Sequence, residues 1–253
     1  ESNLNIYWEY ALPLGISFFT FQQIGYQISL YKSETKRQSL INYFAFVSFF
    51  PQLIAGPIVR HSFFFNQINN NKFFKINQKN FELGISIFSI GLFKKIIIAD
   101  SIAHYVNLTY NNCFTVTCSQ SDFIITTFLY SFQIYFDFSA YSDMAIGIAK
   151  IFGINLPFNF NSPYKAKSLI QFWRNWHITL SNFLKDYIYI PLGGSKFGSI
   201  KKYINLITTM IIGGLWHGAG FNFLIWGLIH GIGLATNHFI KNKEIFKFNK
   251  YIS

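Results

Sequence analysis

Three of the chain's six histidines, His177, His217 and His230, fall where a polar ring is costly, in or beside apolar blocks. Ionisable groups at membrane depth are functional candidates because hydrocarbon tolerates them only with partners or a role. His217 sits in Gly213-Gly214-Leu215-Trp216-His217-Gly218-Ala219-Gly220. Glycines let a backbone break and approach a ligand closely, so this run predicts an imidazole at the base of a glycine-walled hollow inside the bilayer. The other reading of the same ring is packing glue, one imidazole tied to a carbonyl between two helices. His177 ends the run Ser168-Leu-Ile-Gln171-Phe-Trp173-Arg174-Asn175-Trp176-His177. Its Ser-x-x-Gln start is a capping box, and the helical period carries on to about Tyr187, with Ile170, Trp173, Leu180, Leu184 and Ile188 sharing the face of His177. A ring on such a face is either a satisfied core group or a proton acceptor. Arg174 borders that face, placed either to pair with a phosphate or carboxylate or to anchor at the membrane interface.

A fourth polar group is Asp137, in Gln133-Ile-Tyr135-Phe-Asp137-Phe-Ser139-Ala-Tyr141-Ser142-Asp143. Asp137 and Asp143 are six residues apart and do not share a helix face, so a paired acid/base dyad is not expected. Hydrogen bonding to neighbouring helices is the expected role, with Lys94 and Lys95 available to neutralise the two acids. Several chemistries are not signalled. The chain carries no phosphate-loop lysine motif, no His-Glu-x-x-His, no nucleophile elbow and no dinucleotide fingerprint. His217 and His230 lack an acidic or cysteine companion, so neither a metal nor a bound cofactor is expected.

The elements that must position these groups are apolar. Of 253 residues, 51% are apolar, 21% aromatic and 12% charged, against roughly 25% charged in soluble domains. Thirty-two Phe and fifteen Tyr argue against disorder, and two Cys against a disulfide scaffold. The net charge of +11 does not point to nucleic acid, because the basic residues cluster between apolar blocks, as cytoplasmic loops do. The blocks run 10–31, 41–59, 83–108, 122–152, 203–216 and 221–240. The second holds Pro51, Gly56 and Pro57 and reads as re-entrant. The fifth, at ~21 Å, falls short of a ~30 Å hydrocarbon core. Residues 32–40, 60–82, 154–202 and the tail read as cytoplasmic; 109–121 lacks Lys and Arg and reads as the outer face. There Cys113 and Cys118 can meet in a disulfide, a pairing the spacing leaves open. The chain shows no signal peptide and opens without Met, close to an apolar block, so a segment of a longer polytopic protein is expected. The expectation is an all-α, polytopic integral membrane protein in which residues 1–253 form one domain.

The runs Leu12-Pro-Leu-Gly-Ile-Ser-Phe-Phe-Thr-Phe21, Phe50-Pro-Gln-Leu-Ile-Ala-Gly-Pro57, Gly91-Leu-Phe-Lys-Lys95, Tyr135-Phe-Asp-Phe-Ser-Ala-Tyr-Ser-Asp143, Phe172-Trp-Arg-Asn-Trp-His177, Asp186-Tyr-Ile-Tyr-Ile-Pro-Leu-Gly-Gly194 and Gly214-Leu-Trp-His-Gly218 span nearly the whole chain in order. Together they resemble the membrane-bound O-acyltransferase (MBOAT) family, in its alginate and peptidoglycan O-acetylation branch. The resemblance implies an MBOAT helical bundle with broken segments and a central pocket, lacking helices before residue 1 and after residue 253. It implies transfer of an acetyl group from a cytoplasmic thioester, with acetyl-CoA or an acylated carrier protein as donor substrate, across a bacterial inner membrane to hydroxyls of an envelope polysaccharide. The implied partners are that acceptor polysaccharide, membrane lipid and an extracytoplasmic acetyltransferase, with no nucleic acid. The alternatives are an acyl-translocation module feeding a separate transferase, and D-alanyl transfer to teichoic acid. The family's signature His falls on His217 and its second polar position on His177, with His230, Arg174 and Asp137 supporting.

Overall fold

Gly15 adopts a left-handed conformation (φ 78°) and starts helix α1, Ile16–Tyr31. A Cβ at Gly15 would lie 2.3 Å from the Leu53 carbonyl oxygen, so only glycine lets the start of α1 touch the proline-broken segment. In the computed structural model the described residues are 15–69, 77–115, 119–218 and 220–242, and every regular element among them is helical. The start of the first apolar block at Tyr10, the loop lysines Lys72 and Lys75, Cys118 and the tail lysines Lys243, Lys247 and Lys250 lie outside them. Cys113 is disulfide-bonded, in a chain of two cysteines.

The second apolar block is broken where its prolines predict. Helix α2, Leu40–Val47, is capped by Ser39, whose hydroxyl accepts from the Asn42 N–H. It stops before Pro51, and the fully buried Gln52 turns back to donate from Nε2 to the Phe46 carbonyl at 2.8 Å, satisfying a helix-end acceptor. An irregular stretch leads to α3, His61–Asn69. Tyr26, Phe46, Phe64, Phe65, Ala145 and Ile154 form the larger core, joining α1 to α3 and the second half of α6.

Helix α4, Gln78–Phe93, continues through a π-helical stretch, Lys94–Ala99, into α5, Asp100–Thr115. Helix α6, Gln120–Ile151, has 32 residues, or ~48 Å, more than a hydrocarbon core. Helices α4 and α6 touch backbone to backbone. A Cβ at Gly147 would meet the Gly84 carbonyl oxygen at 2.6 Å, and one at Gly91 the Ala140 carbonyl oxygen at 2.8 Å. Small residues permit this approach, the usual basis of helix association where lipid supplies no hydrophobic drive.

Two sequence expectations are corrected here. The helix expected from Ser168 to about Tyr187 is two short helices, α7 (Leu169–Asn175) and α8 (Ile178–Leu184), followed by a π-helical stretch, Lys185–Tyr189. The break falls at His177, in a left-handed conformation with φ 42° and ψ 55°. Periodicity misses it because apolar side chains keep the helical spacing on both sides of the break, Ile170 and Trp173 half-buried in α7 and Leu180 and Leu184 buried in α8. The fifth block is also longer than its apolar run: α9, Gly198–His217, has 20 residues, ~30 Å in all. Its first turns carry Lys201 and Lys202, whose stems a helix accommodates and a hydropathy reading trims.

Helix α10, Phe221–Asn242, packs on α9, where a Cβ at Gly227 would lie 2.5 Å from the Met210 carbonyl oxygen and one at Gly231 2.7 Å from the Ile207 Cα. Alone among the described helices, α10 is long and apolar enough to pass as a membrane span. Large apolar side chains face outward along the bundle, including Phe93, Phe128 and Ile229.

Gly147→Leu should force α4 and α6 apart, because the blocking atoms are backbone. Overpacking of this kind costs about 1–3 kcal/mol, so the thermal midpoint in detergent should fall by ~5 °C or more, measurable by scanning fluorimetry.

Candidate active site

His177 is buried to 2% exposure between the two short helices. Its ring stands in an aromatic box: Phe138 meets it edge-on at 4.7 Å between centroids, Phe18 stacks at 6.4 Å, and Trp216 lies T-shaped at 6.3 Å. One edge is polar. His177 Nδ1 is 3.1 Å from Oδ1 of Asn159, a residue 1% exposed on the loop after α6. The same oxygen accepts from the backbone N–H and the hydroxyl of Thr179, at 3.3 and 2.9 Å. The Asn159 amide nitrogen donates to the Ser142 hydroxyl on α6 at 3.3 Å. Thr179 in turn accepts from the Ile58 N–H at 3.0 Å, tying the proline-broken segment to the site.

His177 and His217 line one cavity of about 490 Å³. Trp216 touches both, its ring 6.3 Å from that of His177 and 4.7 Å from that of His217. The remaining wall includes Phe18, Phe138, Tyr141 and the Lys95–Asp137 ion pair, in which Nζ and Oδ1 are 2.6 Å apart. Lys95 is also 2.7 Å from Asp100, and Lys94 lies 2.6 Å from Asp143. The π-helical stretch presents both lysines to α6, in keeping with the frequent occurrence of π-bulges at functional sites. Two buried polar atoms of the cavity-lining residues have no hydrogen-bond partner among the described residues: His177 Nε2 and Trp216 Nε1. Such an atom can pair with a bound molecule or a water, and six further buried side-chain atoms among the described residues are in the same state.

The site differs from the glycine-walled hollow expected around a buried His217. His217 ends α9 and is exposed; the buried imidazole is His177. The walls are aromatic, and Gly214 and Gly218 serve packing instead, since a Cβ at either would collide with Phe223. His230 is one face along α10 and does not line this cavity. It contacts Trp226 at 4.7 Å and Trp173 at 5.2 Å, and Trp226 also touches His217 at 5.2 Å. Arg174 is exposed and lines a separate cavity with Lys185, Lys202 and His238. Asp137 does join the histidines, through Lys95. Asn159 was not among the sequence candidates. Its only signal is a pair of asparagines, Asn159 and Asn161, between Pro157 and Pro163, a pattern that otherwise reads as a turn. Among the described residues no three His, Cys, Asp or Glu side chains gather as a metal site would require.

Comparison with known proteins matches nearly the whole chain. The model of MBOAT, the membrane-bound O-acyltransferase family, matches residues 8–243. The chain belongs to the membrane-bound O-acyltransferase family. It is 46% identical over 268 residues to the peptidoglycan O-acetyltransferase of Helicobacter pylori, covering 93% of this chain and 50% of that protein. To the probable alginate O-acetylase AlgI of Pseudomonas aeruginosa it is 43% identical over 226 residues, 88% of this chain and 42% of that protein. To the teichoic acid D-alanyltransferase of Bacillus subtilis it is 30% identical, covering 94% of this chain and 60% of that protein. The chain thus spans about half the length of the acetyltransferase relatives it matches.

The burial difference between the two imidazoles is directly measurable. Diethylpyrocarbonate treatment of the detergent-solubilised protein, read by peptide mass spectrometry, should modify His217 at least ~10-fold faster than His177, since acylation needs solvent access to a ring nitrogen.

Proposed function

We propose that this chain is the histidine-bearing part of a polytopic O-acyltransferase of a bacterial inner membrane, acting on an envelope polysaccharide. It takes an acetyl group from a thioester presented on the cytoplasmic side, acetyl-CoA being the simplest donor, and delivers it to a hydroxyl of peptidoglycan or alginate. The names of the relatives above support that acceptor class, and the Lys- and Arg-rich connections support the cytoplasmic placement of the donor side. The proline-broken segment at 48–60 fits a re-entrant entry that returns to its side of origin and lends Ile58 to the site. On the far side an extracytoplasmic acetyltransferase or the polymer itself receives the group.

The observation that carries this reading is the shared cavity of His177 and His217. An imidazole nitrogen accepts the hydroxyl proton as the oxygen attacks the thioester carbonyl; the C–O bond forms, the C–S bond breaks, and the proton passes to the departing sulfur. Aromatic walls exclude water, which would otherwise compete as nucleophile. Asp137 holds Lys95 neutralised at the rim, and His230 supports Trp226 behind His217.

In cells expressing the full-length protein, His177→Ala and His217→Ala should each lower polysaccharide O-acetyl content by at least ~10²-fold, the scale of lost general-base catalysis. Membrane abundance should stay at the parental level. Unchanged acetylation in both variants would instead favour a conduit that moves the acyl group without imidazole chemistry, and D-alanine on teichoic acid would redirect the acceptor.

A further inference from the structure

The hydrogen bonds around His177 determine where its proton sits. The backbone N–H of Thr179 can only donate, so the Asn159 atom facing it is the oxygen, not the amide nitrogen. The Thr179 hydroxyl accepts from Ile58 N–H and must send its own hydrogen elsewhere, to that same oxygen. His177 Nδ1 meets an acceptor already fixed as such, and therefore carries the hydrogen. A neutral imidazole protonated at Nδ1 has its lone pair on Nε2. That is the nitrogen with no partner among the described residues, in a ring that lines the cavity.

We propose that Asn159 is a positioning residue for acyl transfer: it locks His177 in the Nδ1–H tautomer, so that Nε2 is the base that takes the acceptor hydroxyl's proton. This deepens the reading above and rests on it. Asn159 acts at three points. Its side-chain oxygen orients the ring, its amide nitrogen anchors to Ser142 on α6, and its backbone carbonyl accepts from Ile178 N–H at 2.9 Å, holding open the break that turns His177 inward. As the proton arrives at Nε2, the imidazolium that forms keeps its Nδ1–H bond to the amide oxygen. It then returns the Nε2 proton to the thiolate released by C–S cleavage. The charged and titratable groups sharing the cavity with His177 are Lys95, Asp137, Tyr141 and His217; the first two pair with one another. His217, exposed at the cavity mouth, is left to contact the incoming donor or acceptor.

The test uses the full-length protein in cells, with the O-acetyl ester formation rate normalised to folded protein in the membrane. Asn159→Asp keeps an acceptor oxygen in place, and the Ser142 hydroxyl can turn to donate to the second oxygen; its rate should remain within ~10-fold of parent. Asn159→Leu removes the acceptor and should lose ~10²-fold, as misoriented bases do. Asn159→Gln keeps the amide but displaces it by one methylene, and should also lose at least ~10-fold, which decides the matter if the Leu protein does not accumulate. A polar-packing role would rank Gln above Asp; the tautomer lock ranks Asp above Gln. The proposal is overturned if folded Asn159→Leu or Asn159→Gln acetylates at the parental rate, or if folded Asn159→Asp falls as far as Leu. His177→Ala in the same strain separates the two levels: an active His177→Ala defeats the acyltransferase reading itself, whereas an inactive one beside an active Asn159→Leu defeats only the role of Asn159.

Discussion

Much of the site depends on the interruption of one helix at His177. A non-glycine residue in the left-handed region costs roughly 1–2 kcal/mol, and strain of this kind persists only where surrounding contacts over-determine it. Here they do. The Ile178 N–H freed by the break goes to the Asn159 carbonyl, and the Asn161 N–H goes to the carbonyl of Asn175 at 3.0 Å. The loop after α6 is therefore stitched to both sides of the interruption. A continuous helix would have carried His177 on a rotating face and left Asn159 with no backbone donors to meet. With the interruption, residues of α1, α6, α8, α9 and the proline-broken segment converge on His177 and on the Asn159–Thr179 pair beside it.

Charge is handled on the same principle of local closure. Asp137 and Asp143 project from α6, where an unpaired carboxylate would be expensive in an apolar bundle. The π-helical stretch that joins α4 to α5 carries Lys94 and Lys95 to them. The stretch begins at these two residues, and Lys95 reaches Asp100 at its far end as well as Asp137. The glycines at the α4–α6 crossing bring the helix axes close enough for the ammonium groups to reach. Small residues, the wide turn and the ion pairs are thus one device, and it supplies one wall of the cavity that holds the histidines.

What could be read from the sequence was what single residues or short periods encode. Pro51 and Pro57 announce a broken segment, the Lys94–Lys95 pair inside an apolar block is available to the acids of the fourth block, and the burial of His177 follows from its apolar neighbours. The capping residue Ser168 is also as its spacing predicts, with its hydroxyl accepting from Gln171 N–H at 3.1 Å. Gln171 departs by one position, reaching the N–H of Lys167 rather than that of Ser168. The misses are long-range. Which of two glycine functions Gly214 and Gly218 perform depends on Phe223 and Gly227 across the helix pair, and composition cannot distinguish a hollow from a tight crossing. Asn159 looks like any turn asparagine until the chain brings Thr179 and His177 to it. The break at residue 177 is invisible to a periodicity that both halves continue to satisfy.

On the acyl-transfer reading proposed above, the unequal burial of the two imidazoles bears on why the site would transfer rather than hydrolyse. A base in a dry, aromatic-walled recess has few competing nucleophiles, while a second imidazole at the mouth stands where reactants enter. If both rings were exposed, water at its bulk concentration would outcompete a polymer hydroxyl for the thioester. If both were buried, a polysaccharide hydroxyl on its bulky chain would not reach the acyl group. His177 under Phe18 and Phe138, with His217 beside Trp216, divides the cavity between these demands. The Trp216 ring touches both histidines, and its indole N–H has no hydrogen-bond partner among the described residues. A thioester carbonyl turning into an oxyanion gains most from such a donor when water is absent, since hydrogen bonds to developing charge strengthen as the local dielectric falls.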